Sequence, residues 1–121
     1  MRRIAVLLLV SAALGSSAAA ALAHAFLDHA IPAVGSTSHG SPPEVRLWFT
    51  EALEPAFSAV KVVDASGKQV DKGDSSVDAQ DRKLLKLALP PLAPGSYKVM
   101  WRVTSVDTHT TSGSYTIRIA P

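Results

Sequence analysis

Four stretches of this chain alternate apolar and polar residues with a period of two, and turn-forming residues separate each from the next. Val45, Leu47 and Phe49 alternate with Glu44, Arg46 and Trp48, and Val60 and Val62 flank Lys61. Tyr97, Val99, Trp101 and Val103 alternate with Lys98, Met100, Arg102 and Thr104, and Tyr115, Ile117 and Ile119 alternate with Thr116 and Arg118. Leu84 to Leu89 is a shorter apolar run of the same type. Side chains along an extended strand point to opposite faces in turn, so this pattern describes strands with one face in a core and one in water. The breakers are Gly40-Ser41-Pro42-Pro43, Ala65-Ser66-Gly67-Lys68, Pro90-Pro91 with Pro94-Gly95, and Ser112-Gly113. Each stops a strand through the fixed φ of Pro or the freedom of Gly. No segment keeps a helical period over three turns. The expectation is an all-β sandwich of about seven strands, the first at Phe26 to Ile31. Asp64 to Arg82 lacks the pattern and reads as a solvated polar loop.

Ahead of the first strand, Arg2 and Arg3 precede an apolar run from Ile4 to Val10 and a Ser/Ala-rich stretch ending Ala21-Leu22-Ala23. This is the layout of a secretory signal peptide. The run falls short of the ~20 apolar residues a spanning helix needs, and nothing later approaches that length. Residues 1–23 are therefore expected to be removed from the 121, leaving one exported domain over 24–121, periplasmic or otherwise outside the cytoplasm, with no membrane insertion. Cleavage after Ala25 also satisfies the small-residue rule, and it would remove His24.

The chain has 12 Lys/Arg and 10 Asp/Glu, and the excess resides in Arg2 and Arg3. The remaining cations are scattered apart from Arg82-Lys83, which leaves no clustered footprint for a nucleic acid. Cysteine is absent, so packing rather than disulfides must hold the domain. Blue-copper centres, zinc–thiolate sites and CxxC redox chemistry are excluded with it.

The polar stretch VDTHTTSG, residues 106–113, follows the strand pattern KVMWRV. On an extended strand Asp107 and His109 would share a face, with Cα atoms about 6.6 Å apart. Two groups do not make a tight metal site. Cleavage after Ala23 would supply more, because an N-terminal histidine chelates through its α-amine and its imidazole Nδ1. With His109 and Asp107 this is an N₃O donor set, which suits Cu(II) or Ni(II), Cu(II) standing higher in the affinity order. The bland alternative is that Asp107 merely caps a turn.

His24, the stretch Leu47-Trp48-Phe49-Thr50-Glu51, the segment Pro94 to Val103, and Ser105-Val106-Asp107-Thr108-His109 followed by Gly113 together resemble the CopC family of periplasmic copper-resistance proteins. The resemblance spans essentially the whole chain beyond residue 23. It implies a Greek-key β-barrel or sandwich, cupredoxin-like or immunoglobulin-like, with Cu(II) held by His24, Asp107 and His109. It also implies a carboxylate near the N-terminal amine, which maps to Glu51; on its own Glu51 reads as a surface glutamate at a strand end. Well-known members carry a methionine-rich Cu(I) loop, whereas here Met100 is the one methionine beyond Met1. The resemblance thus implies a Cu(II)-only member.

The expected role is an exported, non-catalytic Cu(II) carrier or buffer, working by family resemblance with an inner-membrane transporter of the CopD type. Metal binding needs a neutral amine and neutral imidazoles, so affinity is expected to fall below about pH 6. His29 and His39 read as ordinary surface histidines, and Trp48 and Trp101 as packing residues. Two rivals remain open. One is a copper-dependent polysaccharide monooxygenase, which also uses an N-terminal histidine but needs an open copper position. The other is a metal-free immunoglobulin-like interaction module.

Overall fold

A computed structural model describes residues 24–121; the expected signal peptide lies outside the described residues. The strands are β1 (Leu27–Ile31), β2 (Thr37–His39), β3 (Glu44–Phe49), β4 (Ala59–Val63), β5 (Ser76–Val77), β6 (Leu84–Ala88), β7 (Gly95–Thr104) and β8 (Thr110–Ala120), with one 3₁₀ turn at Pro55–Phe57. They form two four-stranded sheets, ordered β1-β3-β6-β5 and β2-β8-β7-β4. No helix among the described residues is long and apolar enough to cross a membrane.

Burial follows the alternation. Val45, Leu47, Phe49, Leu85 and Leu87 from one sheet meet Val60, Val62, Val99, Val103, Ile117 and Ile119 from the other in a single buried cluster. Each such side chain contributes roughly 1.5–3 kcal/mol by leaving water, which is what drives the layers together. Tyr97 near the start of β7 donates its hydroxyl to the Ala93 carbonyl at 2.5 Å, the corner contact used by Greek-key sandwiches. Trp101 points inward and meets Phe49 edge-on, with centroids 5.2 Å apart and planes at 75°. Opposite it on β8 stands Gly113, and the indole occupies the space a side chain there would need: an added Cβ would lie 2.5 Å from Trp101 Cζ2.

Eight strands are present where about seven were expected, six of them at the apolar patterns named above. The additions, β2 and β5, are three and two residues long and sit at sheet edges. Strands this short bury too little to imprint an apolar period, so only backbone pairing reveals them. β2 runs parallel to β8. β5 lies inside the segment expected to be a plain loop, and that segment also serves the sheet edges. The Val60 N–H donates to Ser75 Oγ and the Val62 N–H to Asp71 Oδ2, both at 2.9 Å. The Ala88 N–H donates to Asp74 Oδ1 at 2.9 Å. Side-chain oxygens thus replace a neighbouring strand along the free side of β4 and at the end of β6, which blunts edges that would otherwise pair with another chain.

Asp71→Ala leaves the amide of fully buried Val62 without a partner and is expected to cost about 1–3 kcal/mol in urea unfolding, with Asp71→Asn recovering part of it. Gly113→Ala is expected to cost about 1–3 kcal/mol by overpacking against Trp101, read as a lower urea midpoint and altered indole emission.

Candidate metal centre

The loop joining β7 to β8 is built by local geometry. Thr104 and Thr110 are the last paired residues, and between them the Thr108 N–H donates to the Ser105 carbonyl at 2.8 Å while the Ser105 N–H donates to the His109 carbonyl at 2.9 Å. Thr108 closes the turn with φ of +73°, a position where glycine or asparagine is usual and a β-branched residue is strained. This corrects the sequence reading of Asp107 and His109 as same-face neighbours on an extended strand. The β7–β8 ladder runs on to Thr104–Thr110, past the apolar pattern that ends at Val103 and resumes at Tyr115, and a tight hairpin turn, not strand parity, brings the two side chains together.

Within the turn Ser105 Oγ donates a hydrogen bond to Asp107 Oδ1. That bond is the main reason the Asp107 carboxyl sits below the ordinary carboxylate range; desolvation, next in size, opposes it, and the neighbouring His109 adds to the lowering. Asp107 is therefore held ionised. His109 Nδ1 lies 3.4 Å from Asp107 Oδ1, within ion-pair reach but outside hydrogen-bonding geometry. Nδ1 itself is buried with no hydrogen-bond partner, although the ring as a whole is about a third exposed. A buried ring nitrogen without a partner is costly to leave so, and it has a lone pair or proton free for one.

His24 arrives from the opposite end of the chain. Its ring centroid lies 4.8 Å from that of His109, at 60°. Two threonines hold the segment in place. Thr111 on β8 donates its hydroxyl to the Ala25 carbonyl at 2.6 Å, across 86 residues of sequence. Thr50, just past β3, donates its hydroxyl to the His24 carbonyl at 3.3 Å and accepts from the Phe26 N–H at 2.9 Å, while its own N–H donates to the Phe26 carbonyl at 2.8 Å. Ala25 between them is fully buried. Sequence reasoning missed Thr50, Ser105 and Thr111. No spacing rule signals a hydroxyl that grips backbone far away in sequence, although Thr50 and Ser105 fall in the motif stretches that carry the family resemblance and Thr111 lies just beyond one.

The structure therefore gathers His24, His109 and Asp107 at one end of the sandwich. Glu51 follows Thr50, is half-buried, and makes no hydrogen bond or ion pair among the described residues. His29 sits instead on the outer face of the β1-β3-β6-β5 sheet, stacked on Trp48 at 4.5 Å and 8°, with Nδ1 2.6 Å from Asp28 Oδ2. His39 is exposed on β2. No three His, Asp or Glu side chains among the described residues are already arranged as a metal cage. The donor chemistry nevertheless fits a metal: two imidazoles, one with an unbonded buried nitrogen, beside a carboxylate held ionised. The donor still wanting is a backbone atom, the amine that cutting before His24 would expose.

Known proteins resemble this chain over nearly all of the described residues. The CopC domain family model matches residues 27–120. Protein YobA of Escherichia coli K12 is 36% identical over 98 residues, covering 80% of this chain and 79% of its own. Copper resistance protein C of Pseudomonas syringae pv. tomato is 35% identical over 107 residues, covering 84% of each. The crystal structure of CopC from Methylosinus trichosporium OB3b superposes with a TM-score of 0.76 at 38% identity, covering 81% of this chain and 95% of that one. With the family model spanning nearly all of the described residues and the same sandwich in a solved relative, the chain belongs to the CopC family.

Proposed function

We propose that this protein is exported to the periplasm, cut after Ala23, and holds Cu(II) through the His24 amine and imidazole, His109 and Asp107, as a carrier or buffer in copper homeostasis. The observation that carries this reading is the meeting of the His24 and His109 rings at 4.8 Å beside an ionised Asp107, with His109 Nδ1 buried and unbonded. The copper-resistance naming of a relative supports the metal. The nitrogen-rich donor set and the single methionine of residues 24–121 favour the cupric ion over the soft-ligand cuprous one. Cleavage after Ala23 rather than Ala25 is supported by the burial of Ala25 and by the hydroxyls on the His24 and Ala25 carbonyls, all of which the later cut would discard. Glu51, next in sequence to the threonine that holds His24, is assigned the role of orienting the new amine.

Copper is cargo here. Asp107 and His109 are 37% and 32% exposed, so an ion at this end of the sandwich stays accessible to a receiving protein such as a CopD-type transporter. A carboxylate among the ligands also leaves no open position for O₂, which speaks against the monooxygenase reading. Peroxide production with ascorbate is expected to stay at the level of a metal-free control.

Intact mass of the exported protein should place the start at His24, and a Cu(II) titration followed by Trp emission should give one equivalent. His109→Ala is expected to weaken that binding at least tenfold, since ligand-shell losses are typically on the order of 10–100-fold. A start at Phe26, or unchanged affinity in His109→Ala, refutes the assignment. Binding should weaken as pH falls and the nitrogens take up protons.

Ser105→Ala removes the main bond that depresses the Asp107 carboxyl, so its titration, followed by carboxyl ¹³C NMR, should move up toward the ordinary value of about 3.9. Asp107 with a depressed folded-state value stabilises the fold above the unfolded carboxylate pKa, and that contribution is lost as pH falls through the folded value. In Ser105→Ala the two values converge, so less stability is lost on acidification.

A further inference from the structure

The two faces of the sandwich treat their cations differently. On the β1-β3-β6-β5 sheet each strand cation has a carboxylate: Arg46 Nε lies 2.6 Å from Glu44 Oε1, and Lys86 Nζ lies 2.8 Å from Asp78 Oδ1. On the β2-β8-β7-β4 sheet, Lys61, Lys98, Arg102 and Arg118 are all exposed, and none forms an ion pair among the described residues. No Asp or Glu occurs in any of those four strands. Between the cations the outward positions are hydroxyls, Ser96, Thr104, Ser112, Ser114 and Thr116, grouped around the half-buried thioether of Met100. A domain with balanced charge over residues 24–121 has thus collected four cations without ion pairs on one face, and the carboxylates at its border, Asp64 and Asp71, are taken up by backbone amides.

The layout of that face identifies what it meets. Lys61 pairs across from Met100, Lys98 from Thr116, Arg102 from Ser112 and Arg118 from Ser96. The cations therefore spread over roughly 20 Å along the strands and about 10 Å across three of them. Charges this far apart do not converge on one small anion; they match many anions distributed in a plane. We propose that this sheet face docks on an anionic phospholipid surface, the lysines and arginines among the phosphates and the hydroxyls donating to headgroup oxygens. Laid this way, the end carrying His24, Asp107 and His109 is held at the side, beside the membrane rather than under the protein. The inference goes beyond the copper reading and does not rest on it.

The test is vesicle co-sedimentation of residues 24–121, whose two sheets and core are complete in themselves. The vesicles are phosphatidylglycerol/phosphatidylcholine mixtures, with pure phosphatidylcholine and polyglutamate beads as comparisons. Binding is expected on the anionic vesicles at low salt, absent on phosphatidylcholine, and lost at about 0.5 M salt, where charges are screened within a few ångström. Each cation near such a surface is worth about a fivefold change in partitioning, so Lys98→Glu/Arg102→Glu should weaken binding at least tenfold. The charge-matched control Arg82→Glu/Lys83→Glu, on exposed residues preceding β6 in the other sheet, should change it less than about threefold. No binding to anionic vesicles at low salt, equal losses in the two double variants, or retention on polyglutamate without retention on vesicles each overturns the proposal.

Discussion

Two threonine hydroxyls, one from each sheet, hold the backbone of residues 24–26. Thr111 on β8 takes the Ala25 carbonyl, and Thr50 after β3 takes the His24 carbonyl and the Phe26 N–H. These bonds do what a further strand pair would do, but between layers rather than within one. Because Ala25 is fully buried, the segment cannot slide without exposing apolar surface and freeing polar groups together. The location of the His24 ring relative to the β7–β8 hairpin follows from that clamp, and so does any chemistry in which both histidines take part.

The hairpin supplies the second half by a different device. Thr108 in the left-handed region closes a turn so tight that Ser105 reaches Asp107 and Asp107 lies within ion-pair reach of His109. A strained, β-branched residue at the tip of a loop beside an unbonded buried nitrogen is the kind of local conflict that sequences retain where function requires it. The turn-cap reading of Asp107 and the metal reading are thus compatible. The carboxylate is held ionised by its own loop, and that is the state a cation needs.

The remaining polar groups divide by face. Asp71, Asp74 and Ser75 finish the sheet edges, so a segment that reads as featureless is part of the frame. On one sheet carboxylates neutralise Arg46 and Lys86, while the other sheet keeps its cations bare. Composition reports only the sum of these arrangements, which is close to zero beyond the first residues and conceals the polarity.

Much of the architecture was legible beforehand. Period-two alternation at Val45–Phe49, Tyr97–Val103 and Tyr115–Ile119 specifies strands, because burial of one face is decided residue by residue along the chain. Candidate donors could be named in the same way, since residue types and a cleavage motif are properties of the string. β2 and β5 were not, because strands of three and two residues carry no period, and neither was the hairpin turn, because the apolar pattern ends before the ladder does. Only the tertiary structure decided that His24 and His109 meet, that Thr50 and Thr111 hold the His24 segment there, and that four cations share one face without an ion pair among the described residues. Those outcomes depend on strand register and on side chain to backbone bonds across up to 86 residues, and such contacts leave no local pattern to read.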